Sequence, residues 1–144
     1  MAVDVVTEVV IARPRAEVAA FACDPDNATR WYQNIVSVQW HTPPPLDVGT
    51  QVGFVARFLG RRLAYTYEVR VHVPGERFVM STEQGPFPME TTYEFADTPS
   101  GTRMTLRNRG EPAGFAKVGS PLMERAMRRA NRADLHRIKE ILEA

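Results

Sequence analysis

The chain has little cysteine, little charge imbalance and no long apolar run, and each shortage removes a class of protein. One thiol, Cys23, leaves no intrachain disulfide and no cysteine-based zinc site, and it fits a reducing cytoplasm. Eighteen Lys and Arg stand against seventeen Asp and Glu, a net charge of +1, so no broad basic field points to nucleic acid as a partner. No apolar stretch approaches the ~20 residues that span a bilayer. The opening MAVDVVTEVV has no basic segment before an apolar core. The expectation is a soluble, cytoplasmic protein without a transmembrane segment. His41, His72 and His136 fall on a loop, a wet strand face and a wet helix face, with no Glu or Cys at ligand spacing, which argues against a metal site. No GxGxxG follows a strand, no serine sits in a nucleophile elbow, and Cys23 has no histidine partner. Neither a dinucleotide cofactor nor covalent catalysis is indicated, and no cofactor is expected.

After Pro121 the chain also lacks proline and glycine, and this absence is constructive. Its last 30 residues, FAKVGSPLMERAMRRANRADLHRIKEILEA, are mostly good helix formers. A 100° turn per residue places Met123, Met127, Ala130, Asn131, Asp134, Ile138 and Ile141 on one side, with Leu135 and Leu142 at its edge. Arg125, Arg128, Arg129, Arg132, His136 and Lys139 occupy the other side, which reads as a solvated face, since Glu124, Glu140 and Glu143 lie in the same helix, with contact to phosphates or anionic lipid as the alternative. Asp134 interrupts the apolar stripe, one turn after Asn131.

The remaining residues read as strands. Val3–Ile11 is rich in β-branched residues, and Arg13-Pro14 ends it and starts a short helix carrying Val18 and Phe21. Asp24-Pro25 breaks that helix, and a second short one leads to Trp31 and Tyr32. A strand over Ile35–Trp40 precedes an exposed Pro43-Pro44-Pro45 turn. From there the pattern has period two. Val52, Phe54, Ala56 and Phe58 share a face; so do Leu63, Tyr65, Tyr67, Val69 and Val71; Phe78, Met80 and Thr82; Met89, Thr91, Tyr93 and Phe95; and Met104, Leu106 and Asn108. Turns are expected at Gly60-Arg61, Pro74-Gly75, Gly85-Pro86 and Pro99-Ser100-Gly101. The opposite faces carry Arg62, Glu68, Arg70, Glu83, Glu90, Glu94, Arg103, Arg107 and Arg109 and read as wet. One 144-residue domain, residues 1–144, of α+β class follows: seven antiparallel strands, two short helices after the first, and a long closing helix.

In its order and wording the chain resembles the START-like, Bet v 1-like helix-grip superfamily, in particular its bacterial polyketide cyclase/dehydrase branch. The resemblance covers essentially the whole chain. It rests on IARPRAEVAAFACDPDNATRWY, FLGRRLAYTYEV, PGERFVM, GTRMTLR and ADLHRIKEILEA. It implies a curved sheet gripping the C-terminal helix, with a cavity between them. Lipid carriers, hormone receptors, polyketide cyclases and co-chaperone domains share this fold, so the fold alone does not choose a function.

Asp134 is the sharpest candidate, because a carboxylate on an apolar stripe must be hydrogen-bonded, paired or raised in pKa. It is either a ligand contact or general base, or a carboxylate satisfied by an arginine, a backbone group or water. Tyr65, Tyr67 and Tyr93 either turn hydroxyls into a cavity or fill the core; Asn108 poses a weaker version of the same choice. Trp31 falls near the expected cavity mouth. Met80, Met89, Met104, Met123 and Met127 suit either a pliable cavity or an ordinary core. With Phe54 and Asn131 these residues form the candidate ligand set. The leading expectation is a binding protein, monomer or weak homodimer, for a small hydrophobic molecule held between sheet and helix. A polyketide aromatase/cyclase and an interaction module with a vestigial pocket are the alternatives.

Overall fold

A computed structural model describes residues 3–58, 60–84, 88–110 and 120–144. Strand β1 (Val3–Ile11) leads into helix α1 (Arg15–Ala22) and a 3-10 turn (Pro25–Asn27) that runs straight into helix α2 (Ala28–Trp31). Strands β2 (Ile35–Trp40), β3 (Gln51–Phe58), β4 (Arg61–Val73), β5 (Arg77–Thr82), β6 (Met89–Thr98) and β7 (Gly101–Gly110) follow, and helix α3 (Ser120–Glu143) closes the chain. All pairings are antiparallel, in the spatial order β1-β7-β6-β5-β4-β3-β2. The chain thus meanders from β2 to β7 and returns β1 to the far edge, the α+β architecture expected.

The local chemistry accounts for the joints. Asp24 caps the 3-10 turn by accepting the Asp26 N–H at 3.0 Å, and Pro25 takes the first position, where its missing N–H costs nothing. Between β6 and β7 the turn is two residues long, because Thr98 pairs with Gly101. Gly101 has φ +148°, and a Cβ there would collide with the Ile11 carbonyl, so no other residue fits without shifting β1. At the β3–β4 hairpin Phe58 pairs with Arg61, so the turn falls one residue before the Gly60-Arg61 position expected. The Phe58 side chain and the Gly85-Pro86 turn lie outside the described residues.

The period-two faces hold with one correction. A bulge between Val69 and Val71 inserts one residue into β4. Val71 is therefore opposite Val79, on the outer face, while His72 joins Phe78 on the inner face and meets its ring edge-on at 5.9 Å. Neither the inward Val71 nor the wet-faced His72 read from simple alternation survives. The outer face is also not uniformly wet. Val79 and Thr92 are buried at the centre of a cross-strand row running Val71, Val79, Thr92, Arg107, Val6.

Helix α3 runs beside β1 and touches α2. Its C-terminal half is core: Leu135 and Ile138 are fully buried with Trp31, Met104 and Leu106. Its polar side chains also occupy the exposed backbone groups of the β1 edge. Glu124 accepts the Asp4 N–H at 3.1 Å, Glu143 accepts the Ala12 N–H at 2.8 Å, and Lys139 donates to the Val10 carbonyl at 2.8 Å. An edge strand that would otherwise template further pairing is thereby covered by the helix. Among the described residues no helix is long and apolar enough to cross a membrane.

Candidate functional site

The N-terminal half of α3 does not close on the sheet. Between it and the inner face lies a cavity of about 340 Å³, at the small end of the range of ligand sites. Tyr32 and Ile35, at the start of β2, form one end of its wall, and Phe54, Ala56, Leu63, Tyr65, Tyr67, Met80, Thr82, Met89, Thr91 and Asn108 form the sheet side. Ala126, Met127, Ala130, Asn131 and Asp134 form the roof. The exposed members of the wall, Asn34, Arg57, Gln84 and Ala126, mark where it opens to solvent. Small alanines on the roof and long side chains on the sheet explain why the space remains: the helix carries too little bulk there to fill it.

Of the residues singled out in the sequence, Phe54, Tyr65, Tyr67, Met80, Met89, Asn108, Met127, Asn131 and Asp134 are brought together on this wall. Four are elsewhere. Trp31 is 1% exposed and stacks in the core on Tyr32, its neighbour; it is Tyr32 that reaches the cavity. Met104 is fully buried under α3. Tyr93 lies behind the wall, lining a small interior void of about 20 Å³, and Met123 is half-buried outside the cavity. The sequence pattern passed over Tyr32 and Thr91, although Thr91 shares the inner face of β6 with Tyr93.

The polar groups of the wall fall into three sets. On the sheet, Thr91 Oγ1 donates to Asn108 Oδ1 at 2.9 Å, and the Tyr67 hydroxyl meets Thr91 Oγ1 at 3.3 Å. With the threonine proton already committed to Asn108, the tyrosine is the donor in that contact, and the Asn108 amide NH₂ remains available. At the α2 end the Tyr32 and Tyr93 hydroxyls share a short hydrogen bond. Burial pushes the pKa of both phenols well above the usual value, and the Asp134 carboxylate adds to the shift, so both stay protonated.

The third set is on α3. Asp134 is 3% exposed and its Oδ1 accepts the Gln33 N–H at 3.0 Å, tying the helix to the α2–β2 junction. Desolvation raises its pKa to about 6, partly offset by that hydrogen bond. A backbone group thus satisfies one oxygen, as one reading of the sequence anticipated, while the residue still faces the cavity. One turn earlier, Asn131 is 6% exposed and its Nδ2 has no hydrogen-bond partner. An unsatisfied buried donor is uncommon, and this one belongs to a side chain on the wall of an apolar space.

Burial pushes the Cys23 thiol up to about 12, leaving it protonated and inert. Among the described residues no three His, Cys, Asp or Glu side chains converge to hold a metal ion. What the site can do is enclose an apolar body, donate hydrogen bonds from two amides, and accept or release one proton near neutral pH at Asp134.

Residues 2–143 match the sequence model of the family described as polyketide cyclase/dehydrase and lipid transport. Comparison with curated proteins gives no significant sequence match. Among solved structures, the chain is similar to the Zhui aromatase/cyclase from Streptomyces sp. R1128, with TM-score 0.82 and 15% identity over 99% of this chain and 94% of that one. It is similar to the di-domain ARO/CYC StfQ from the steffimycin biosynthetic pathway, with TM-score 0.82 and 14% identity over 99% of this chain but 52% of that longer one. It is also similar to TTHA0849 from Thermus thermophilus, with TM-score 0.80 and 21% identity over 95% and 94% of the two chains. At these identities the likeness carries the helix-grip fold and nothing about substrate.

Proposed function

Because the chain belongs to the polyketide cyclase/dehydrase and lipid transport family, we propose that it binds a small apolar molecule carrying a carbonyl or comparable acceptor in the cavity under α3. The observation that carries this reading is the unpartnered Asn131 Nδ2 on the wall of that cavity. In a space meant only to be packed, an orphaned amide costs about 1–3 kcal/mol with no return. A ligand carbonyl removes that cost and gains a directed contact, while Phe54, Leu63, Met80, Met89 and Met127 supply the apolar enclosure. The Asn108 amide on the opposite wall offers a second donor.

The test compares two aromatic ligands of one shape, an aryl methyl ketone and its alkyl counterpart, against the protein and Asn131→Leu. One net hydrogen bond of about 0.5–1.5 kcal/mol corresponds to a two- to twelvefold preference for the ketone. Asn131→Leu, apolar and of similar size, should bind the alkyl ligand as well or better and lose the preference. Equal affinities for both ligands in the parent protein, or a preference that survives in the variant, rule the reading out.

A second reading, a cofactor-independent cyclase or dehydratase, is favoured by one observation. Asp134 has a pKa of about 6, close to the value at which a carboxylate serves as a proton acceptor near neutral pH. Turnover of a poly-β-ketone that disappears in Asp134→Asn while ketone binding persists is the result this reading requires.

A further inference from the structure

The outer side of α3 is divided electrically. In its C-terminal half Lys139 pairs with Glu143 at 2.6 Å and His136 lies 3.7 Å from Glu140, while Arg137 stands without a salt bridge among the described residues. Arg125, Arg128 and Arg129 in its N-terminal half and Arg132 at its middle stand at spacings of three and four, where like charges repel one another. None of the four is in a salt bridge among the described residues. Helix stability alone does not account for this cluster, in a chain whose net charge is only +1.

The cluster is also placed in relation to the cavity. Leu122 is 69% exposed and lies on the same side as Arg125 and Arg129, beside a shallow surface groove floored by Ala126 and Ala130. Those two alanines are also roof residues of the cavity. One helical segment therefore presents four cations and an aliphatic side chain outward and an apolar chamber inward. Across the opening stands exposed Arg57, likewise without a salt bridge among the described residues.

We propose that the N-terminal half of α3 docks on an anionic lipid surface, with Leu122 at the headgroup level and the arginines on the lipid phosphates. Charge complementarity selects an anionic partner. The exposed leucine beside the cations selects a lipid surface over an acidic protein, because an aliphatic side chain gains by entering the headgroup–acyl boundary that the arginines reach. The docking does not rest on the ligand-binding reading, and its test uses no ligand.

The test is co-sedimentation of the full chain with vesicles of phosphatidylcholine alone and of phosphatidylcholine with phosphatidylglycerol, at low and high salt, with a poly-glutamate peptide as competitor. Binding only to the anionic vesicles, weakened at high salt, is expected. Each arginine near the surface contributes roughly a fivefold gain in partitioning, so Arg125→Gln/Arg129→Gln/Arg132→Gln should lose on the order of a hundredfold. Arg103→Gln, on the outer face of the sheet, should bind like the parent, and unchanged circular dichroism of both variants excludes misfolding. Failure to bind anionic vesicles, equal binding to neutral ones, or full retention by the triple variant overturns the proposal. Tight binding to poly-glutamate without vesicle binding overturns it in favour of an acidic protein partner.

Discussion

Replacing Asp134 by asparagine should make the protein more stable at neutral pH and leave it nearly unchanged in acid. The folded carboxyl has a pKa of about 6, whereas in the unfolded chain it titrates near ~3.9. The folded state thus binds the extra proton between these values. The stabilising contribution of the neutral acid is fully present below pH ~3.9 and is lost as pH rises through about 6. Above that, a shift of about two units corresponds to roughly 3 kcal/mol held against the fold. Asparagine cannot ionise, and its Oδ1 can still accept the Gln33 N–H. Asp134→Asn should therefore gain up to about 3 kcal/mol over the parent at pH ~7.5, an upper bound because the cavity admits water. For a domain near this size that is up to about 6–12 °C in Tm. At pH ~4 the two proteins should melt within about a degree or two of each other. The assay is thermal unfolding of both across pH ~4–8. A variant no more stable than the parent at the upper end of that range, or less stable, would show that the ionised carboxylate is held by favourable partners and refute the desolvation argument.

Other expectations follow from the cavity wall and the core behind it. Met127→Trp should fill open space, leaving Tm nearly unchanged while weakening uptake of an apolar fluorescent ligand. In a close-packed core the same change would cost about 1–3 kcal/mol and lower Tm by several degrees. Tyr93→Phe leaves the Tyr32 hydroxyl without its partner and should cost about 1–3 kcal/mol by denaturant unfolding, whereas Tyr32→Phe/Tyr93→Phe, which removes both hydroxyls, should cost less than the single change.

The sequence reading and the structure agree where a regular period decides the matter and part where a single residue breaks it. Alternation placed Phe54, Met80 and Asn108 on the inner face because β3, β5 and β7 are regular, and Tyr67 because it precedes the irregularity in β4. It failed in β4 because a bulge leaves no mark in composition; Arg70 looks like any outward arginine. Helical phase found Asn131 and Asp134 on the covered side of α3, a helix of 24 residues, but α2 spans only four residues and begins in a 3-10 turn. There a projection cannot choose between Trp31 and Tyr32. Alternation also gives a face without a depth. Met104 and Met80 are equivalent as pattern, yet Met104 lies under the packed half of α3 and Met80 under the open half. That division is set by Leu135 and Ile138 against Ala126 and Ala130, a tertiary relation invisible in the strands themselves. The Gln33 N–H that partners Asp134 is 101 residues away in the chain and leaves no signal in either segment.

The proposed function turns on one contact, a ligand carbonyl at Asn131 Nδ2. Titrating ¹⁵N-labelled protein with an aryl methyl ketone and following the side-chain amide signals by NMR observes it. A saturable one-to-one shift of the Asn131 Nδ2 resonances, assigned by their loss in Asn131→Leu and much smaller with the matched alkyl ligand, is the predicted result. Unmoved Asn131 resonances, with shifts absent or confined to the outer face of the sheet, would contradict it.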